Sequence, residues 1–137
     1  MMKLICLILI VLTVERSYGL EDIEKILADC KTSEKVPDVE IMNFKNKVMS
    51  ETKEAKCLTT CIMEKVELIK GNQINANGMM QLAKSMPNSN EKMLQSATEA
   101  VDECKPIKEA DRCEYGFKVS KCLMDAAAKR QLSSIFA

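Results

Sequence analysis

The chain contains no histidine and no tryptophan among its 137 residues. The absence of histidine excludes catalysis by a serine–histidine or cysteine–histidine pair, and it excludes zinc sites with histidine ligands. Histidine is also the usual titrating group near neutral pH, and ordinary carboxyl groups stay ionised between about pH 7 and 5.5. Aromatic residues make up only 4% of the chain, and apolar and polar residues do not alternate, so the sequence predicts no β-strand.

Residues 1–19 have the pattern of a secretory signal peptide. Lys3 supplies a positive charge, residues 4–14 form an apolar run, and Ser17 and Gly19 are the small residues expected before a cleavage site. The run is too short to cross a membrane. The alternative, a buried N-terminal helix, is disfavoured by the polar residues that follow the run. We therefore expect an exported protein.

The remaining chain, residues 20–137, is expected to form one domain that is close to neutral. It has 18 basic and 19 acidic side chains, which leaves a net charge of −1. This balance argues against a nucleic acid or an anionic membrane as a partner. No nucleophile motif is present and no pair of carboxyl groups stands out from the charged helix faces, so we expect neither an enzyme nor a bound cofactor or metal.

Apolar residues recur at the three- and four-residue spacing of amphipathic helices, which predicts an all-α fold of about six helices. Asn88 and Asp111 are predicted to be the N-caps of the last two, because each is followed by glutamate three residues later. Residues 71–78 are rich in glycine and asparagine and predict a turn. The predicted helices span residues 20–31, 39–49, 54–69, 76–86, 89–104 and 112–128.

Six cysteines follow the signal peptide, an even number that is typical of three disulfides in a small exported protein. Cys57 and Cys61 lie one turn apart on the third helix, so each can reach a different neighbour and this helix is predicted to be a hub. Cys113 and Cys122 are nine residues apart and point to opposite sides of the last helix. The count alone leaves 15 pairings open.

The cysteine spacing is Cys30-x26-Cys57-x3-Cys61-x42-Cys104-x8-Cys113-x8-Cys122, in which the x3 and the final x8 intervals are the most specific parts. Together with the signal peptide, the length and the helical pattern, it resembles the six-cysteine insect odorant-binding proteins, the pheromone-binding and general odorant-binding (PBP/GOBP) family. The resemblance implies helices around an apolar cavity, locked by the disulfides Cys30–Cys61, Cys57–Cys113 and Cys104–Cys122.

The resemblance also implies a secreted carrier that binds small hydrophobic molecules, such as odorants, pheromones or other lipid-like ligands, in olfaction or in another tissue. A monomer or weak homodimer would act upstream of a membrane receptor. The methionines of the fourth and fifth helices suit ligands of varied shape, although ordinary core filling also explains them. Because the chain has no histidine, we expect binding of the ligand to change little between about pH 7 and 5.5. Tyr115 offers one hydrogen bond if it points inward. The residues expected to line the cavity are Ile62, Met80, Ala83, Met86, Met93, Ala97, Ala100, Phe117 and Leu123, with Ile135 and Phe136 in a C-terminal segment that either folds over it or frays.

A second interpretation is a secreted disulfide-rich interaction protein without a cavity ligand. An exposed apolar patch on the second helix, formed by Ile41, Met42 and Phe44, would favour it.

Overall fold

A computed structural model of the chain describes residues 20–86 and 89–130, and in these residues it has six helices and one short hairpin. The expected all-α architecture is confirmed. The predicted signal peptide, Asn88 and residues 131–137 lie outside the described residues. The elements are α1 (Leu20–Ser33), α2 (Asp38–Lys45), α3 (Lys53–Lys65), β1 (Ile69–Lys70), β2 (Gln73–Ile74), α4 (Ala76–Ser85), α5 (Glu91–Cys104) and α6 (Arg112–Lys129).

Helix α3 is the hub that the sequence predicts. It begins after Thr52, whose hydroxyl accepts a hydrogen bond from the backbone N–H of Ala55 at 3.2 Å, so the first turn has a side-chain cap. The helix packs against α1, α2, α6 and β1. Within residues 20–86 and 89–130, no helix combines the length and apolar character that crossing a membrane requires.

The three disulfides have the predicted pairing. Cys30–Cys61 joins α1 to the hub, Cys57–Cys113 joins the hub to α6, and Cys104–Cys122 joins the end of α5 to α6. Their Cα–Cα separations are 5.8, 4.5 and 5.9 Å, within the range in which two cysteines can be bridged. The two cysteines of the hub thus fasten helices on two sides of it.

Buried apolar residues form two clusters. The smaller one lies between α1 and α3 and contains Leu27, Cys30, Val36, Leu58 and Cys61. The larger one lies between the end of α3, the hairpin, α4, α5 and α6, and its members are Met63, Leu68, Ile69, Met79, Val101, Cys104, Tyr115, Val119 and Leu123. Full burial of one large aliphatic side chain contributes about 1.5–3 kcal/mol, so most of the hydrophobic stabilisation comes from the second cluster.

Helix α2 is shorter than the predicted span of 39–49. It ends at Lys45, and Lys47 adopts a left-handed conformation with φ of +60°. The N–H of Val48 then donates to the carbonyl of Asn43 at 2.8 Å, a bond that closes the helix end in the manner of a Schellman motif. Because the chain turns here, Val48 and Met49 leave the helix instead of continuing its apolar face.

The hub is also shorter than predicted, because it ends at Lys65 and not at Ile69. Glu67 has φ of +63°, and the N–H of Leu68 donates to the carbonyl of Met63 at 2.8 Å. This is the same type of helix end as in α2, again with a non-glycine residue in the left-handed region. The next residues are free to pair as strands.

The prediction that the chain has no strand is wrong. Strand β1 pairs antiparallel with β2, with Ile69 opposite Ile74. The two residues between them, Gly71 and Asn72, have φ of +58° and +55°, as the two-residue turn of a tight hairpin requires. The strands are too short for alternation to be visible, so the Gly-Asn pair between two isoleucines is the signal that could have revealed them.

Of the two predicted N-caps, one is confirmed and one is wrong. Asp111 caps α6, since its carboxyl group accepts from the N–H of Glu114 at 2.9 Å. Helix α5 is capped by Asn90 and not by Asn88: the Asn90 side-chain oxygen accepts from the N–H of Met93 at 2.8 Å. The capping-box pattern at Asn88 competed with a plain asparagine cap two residues later, and the latter starts the helix.

Candidate ligand-binding cavity

A cavity of about 550 Å³ lies between α1, α2, residues 47–50, α3 and α6. This volume falls within the range of about 300–1,000 Å³ that small-molecule sites have. Its apolar wall comes from every one of these elements. The apolar residues that line it are Ile23, Phe44, Val48, Met49, Ala55, Leu58, Phe117 and Met124.

Most of the exposed large apolar side chains of the described chain converge on this cavity. Seven such side chains are exposed, and five of them line it: Ile23, Phe44, Val48, Met49 and Met124. Apolar groups scattered singly over a surface need no explanation, but a group that converges on one concave site marks a place where an apolar partner binds. The early end of α2 places Val48 and Met49 in this wall.

The floor of the cavity is rigidly held. Phe117 is 9% exposed and Leu58 is 1% exposed, so both are fixed by packing. The Lys56 ammonium lies 4.8 Å from the centre of the Phe117 ring, a cation–π contact, and forms an ion pair with Glu114 at 2.8 Å. These contacts hold the aromatic ring in one orientation beneath the opening.

Arg112 ties three walls together at the base of α6. Its guanidinium forms ion pairs with Glu64 of α3 at 2.5 Å and with Glu34, which follows α1, at 2.6 Å. The hydrogen bond that Arg112 donates to Glu64 is the main reason that the pKa of Arg112 lies above its usual value, and burial opposes this rise. The side chain therefore keeps its charge and joins α1, α3 and α6 at one point.

Six of the fourteen residues that line the cavity are polar or charged. Ser50, Thr59 and Ser120 contribute hydroxyl groups, and three charged residues, Glu40, Lys45 and Lys47, complete the lining. Glu40 differs from the lysines because it is only 7% exposed. The site thus combines an apolar wall with one buried carboxyl group.

The structure places the predicted cavity residues in two regions. Phe117 lines the cavity, whereas Leu123 belongs to the larger cluster, and Ile62 packs against the smaller one. The thioether of Met80 accepts a hydrogen bond from Thr98 at 3.3 Å, away from this cavity. The remaining residues divide into the buried Ala83, Ala97 and Ala100, the half-buried Met86 and Met93, and Ile135 and Phe136, which lie outside the described residues.

Of the eight apolar residues that line this cavity, the sequence analysis predicted only Phe117. The seven others are Ile23, Phe44, Val48, Met49, Ala55, Leu58 and Met124. For Met124 a signal was present, because it follows Phe117 by seven residues, which places both apolar side chains on the same side of α6. For Val48 and Met49 no such signal exists, since their place depends on where α2 ends.

A second cleft of about 730 Å³ lies beside the hairpin, but its wall suits an apolar ligand less well. Lys105, Lys108 and Glu109 line it together with the polar Asn72 and Gln73. Tyr115 also reaches it rather than the apolar cavity, and burial raises the pKa of its hydroxyl above the usual value. In the described part of the chain, no three metal-ligating side chains form a cluster.

The profile of the PBP/GOBP family matches residues 17–126, which is most of the chain and includes all six paired cysteines. The chain belongs to the PBP/GOBP family. Its disulfide framework and its six helices are therefore those of an insect odorant-binding protein, as the cysteine spacing predicts.

Individual relatives of this PBP/GOBP chain are distant in sequence. It is 26% identical over 132 residues to general odorant-binding protein 57c of Drosophila melanogaster, covering 90% of this chain and 84% of that protein. It is 24% identical over 99 residues to general odorant-binding protein 19d of the same species, covering 71% of this chain and 66% of that protein. Among solved structures, the fatty acid binding protein OBP56a from the oral disk of the blowfly Phormia regina matches with a TM-score of 0.68 and 28% identity, over 82% of this chain and 97% of that one.

Proposed function

We propose that this PBP/GOBP protein is a carrier that binds one small hydrophobic molecule in the cavity between α1, α2, α3 and α6. The observation that carries the proposal is the convergence of five exposed apolar side chains on a concave site with a buried floor of Leu58 and Phe117. Such a surface costs free energy in water, and a ligand that covers it recovers that cost.

The expected driving force is burial of apolar surface. Each 100 Å² of apolar surface removed from water contributes about 2.5 kcal/mol, from which the cost of association is subtracted. An elongated or ring-containing molecule of lipid-like character fits this mechanism. The description of the blowfly relative as a fatty acid binding protein supports a ligand of this kind.

The cellular setting belongs to the same proposal. The signal-like residues 1–19 and the three disulfides favour export to an oxidising compartment. A monomer or weak homodimer that delivers its ligand to a membrane receptor, without catalysing a reaction on it, is consistent with membership of the PBP/GOBP family.

The cavity residues predicted from the sequence define a second location for the ligand, among α4, α5 and α6. Most of them are buried or half-buried between these helices, where a ligand would need the packing to open. Ile135 and Phe136 remain proposed as a cover. The cavity beside α2 is the stronger candidate because it is open without rearrangement.

The alternative interpretation, in which an apolar patch on α2 formed by Ile41, Met42 and Phe44 binds another protein, has less support. Of its three residues, Ile41 packs against the smaller cluster and Phe44 lines the cavity. Only Met42, which is 61% exposed, is left with the neighbouring Val39 as an apolar surface outside the cavity.

Displacement of a fluorescent apolar probe tests the proposal. The oxidised exported chain is titrated with the probe, and long-chain alcohols, aldehydes, esters and fatty acids are then added to displace it. The absence of tryptophan keeps the intrinsic fluorescence of the protein low. We expect saturable one-to-one binding. Phe44→Ala should weaken it about tenfold, since about 1.4 kcal/mol of apolar contact is lost.

Met42→Ala is the matched control, because Met42 lies on the same helix but does not line the cavity. It should leave the affinity unchanged. A helical, disulfide-bonded protein that binds no probe would exclude the carrier function, and equal effects of the two substitutions would move the site away from this cavity.

A further inference from the structure

We propose that Glu40 is a specificity-determining residue of the cavity, and that the preferred ligand carries a hydrogen-bond donor, a hydroxyl or an ammonium group, on an apolar body. This inference rests on the proposed carrier function and adds to it the chemical class of the ligand. It depends on the burial of Glu40, on its place in the cavity wall and on its lack of strong partners.

Helix α2 reverses the usual distribution of apolar and charged residues. It exposes 58% of Val39 and 61% of Met42, whereas Glu40 between them is 7% exposed. Acidic residues are rarely buried without a partner, because removing a carboxyl group from water costs free energy that hydrogen bonds must offset. The burial of Glu40 therefore calls for a partner.

The protein supplies only a weak one. The single side-chain hydrogen bond of Glu40 among the described residues comes from the Asn43 amide at 3.5 Å, at the long limit of such a bond. None of the ion pairs in the described chain includes Glu40. A carboxylate has about four lone-pair positions, so the protein satisfies only a small part of its capacity to accept hydrogen bonds. No buried side-chain oxygen of the described residues lacks a partner, so the carboxyl oxygen that Asn43 does not contact is open to the cavity, where a ligand can reach it.

Favourable interaction with the helix dipole does not account for this burial. Acidic residues are stabilised in the first turn of a helix, and Asp38 occupies the same turn. Asp38, however, is exposed and pairs with Lys31 across the surface. Glu40 instead lines the cavity, where a ligand can supply the missing donor.

The other charged groups of the wall narrow the class of ligand. Lys45 and Lys47 are exposed, so water already solvates their ammonium groups, and a ligand acid gains little from them. An acid placed beside Glu40 would be repelled, and an ester or hydrocarbon would leave Glu40 without a donor. An alcohol or an amine satisfies the carboxyl group and buries its apolar body against Phe44 and Phe117.

Four ligands that share one ten-carbon chain test this selection: decanol, decylamine, decanoic acid and methyl decanoate. Each displaces the apolar probe from the oxidised chain. We expect the alcohol and the amine to bind at least about tenfold more tightly than the ester, a difference of about 1.4 kcal/mol. Comparison of the affinities of decanol and decylamine shows whether the preferred donor is a hydroxyl or an ammonium group.

Two substitutions assign the preference to Glu40. Glu40→Gln keeps an acceptor oxygen, so it should remove any preference for the amine and keep that for the alcohol. Glu40→Met should abolish both preferences and strengthen binding of the ester. Glu51→Gln, an exposed carboxyl group outside the lining, should change nothing. Saturable one-to-one binding of the probe itself shows in each variant that the cavity is intact.

Equal affinities for the four ligands, or a preference that survives in Glu40→Met, would overturn the inference while leaving the carrier function in place. A preference for the acid that is lost in Lys45→Gln and Lys47→Gln would also overturn it, because it would assign the ligand head to the lysines. Failure of the wild-type chain to bind the probe would instead exclude the carrier function, and this inference with it.

Discussion

Helix α6 separates two regions that are built from similar side chains but covered differently. On one side Tyr115, Val119 and Leu123 are at most 2% exposed, beneath the hairpin and α5. On the other side Met124 is 41% exposed and lines the cavity together with Phe117. Leu123 and Met124 are neighbours in sequence, so a rotation of about 100° around one helix separates the packed core from the open cavity.

The difference teaches that coverage by neighbouring elements, and not composition, decides where apolar side chains border an open cavity. The hairpin, α4 and α5 close the packed region, whereas the cavity region is bordered by the short helix α2 and by residues 47–50, which leave apolar groups uncovered. The following predictions test this contrast, beginning with the largest effect.

Removal of the Cys57–Cys113 disulfide should affect both regions, because it joins the two helices that they share. Its loop spans 56 residues, and replacing both cysteines with alanine should lower the free energy of unfolding by about 4 kcal/mol. Denaturant unfolding measures this loss, and probe binding should weaken with it. The Cys104–Cys122 pair closes only 18 residues, so its removal should cost about 3 kcal/mol. A smaller loss from the first pair than from the second would contradict the central role of the hub.

Leu123→Ala should affect only the packed region. Leu123 is 1% exposed, and the cavity left in such a cluster costs about 3 kcal/mol of unfolding free energy. Probe affinity should change by less than about twofold, because Leu123 does not line the ligand cavity. If the folded variant instead lost binding, the ligand would lie among α4, α5 and α6, as the sequence analysis predicts.

Met124→Ala should show the opposite pattern. A side chain that is 41% exposed contributes little to folding, so unfolding should change by less than about 1 kcal/mol. The loss of apolar contact with the ligand should weaken probe binding about fivefold. Denaturant unfolding and probe displacement, measured on the same preparation, separate the effect on stability from the effect on binding. Unchanged probe binding would show that Met124 does not contact the ligand.

A change from pH 7 to 5.5 should have the smallest effect of all on both the stability of the fold and the affinity for the probe. A hydrogen bond from Lys31 lowers the pKa of Asp38, and one from Lys129 is the main cause that lowers the pKa of Glu103. A carboxyl group whose pKa is lower in the folded state than in the unfolded state stabilises the folded state at any pH above its pKa in the unfolded state. This stabilisation is lost as the pH falls through its pKa in the folded state. Ordinary values of 3.8 and 4.5 place that loss below about pH 4.5. A large fall in probe affinity by pH 5.5 would show that other groups control binding.

Much of the fold could be predicted from local patterns. Periodicity located the helices, and the family resemblance carried by the cysteine spacing gave the three disulfides. The helix ends were missed because Lys47 and Glu67 occupy left-handed positions where glycine is usual, so the sequence gives no stop signal. The hairpin was missed because each strand has only two residues.

The candidate site was harder to predict than the fold. Its walls depend on how helices are rotated, and an error of one residue exchanges Leu123 for Met124. The burial of Glu40 follows from how α2 lies against α3, a tertiary feature without a local signature. The sequence therefore predicted the class of site, and the position that it predicted among α4, α5 and α6 stays a prediction.

The contact between Thr60 and Gly116 has a consequence for how this chain can diverge. A Cβ atom on Gly116 would lie 1.9 Å from the Thr60 hydroxyl oxygen, so α3 and α6 approach as closely as they do only because position 116 lacks a side chain. The Thr60 hydroxyl is itself anchored to the Lys56 carbonyl at 2.9 Å. The Thr60 Cβ would itself lie 2.6 Å from the added atom, so serine or alanine at position 60 would not make enough room. Among proteins of common descent, an alanine or larger residue at 116 should accompany either glycine at 60 or a wider spacing of α3 and α6.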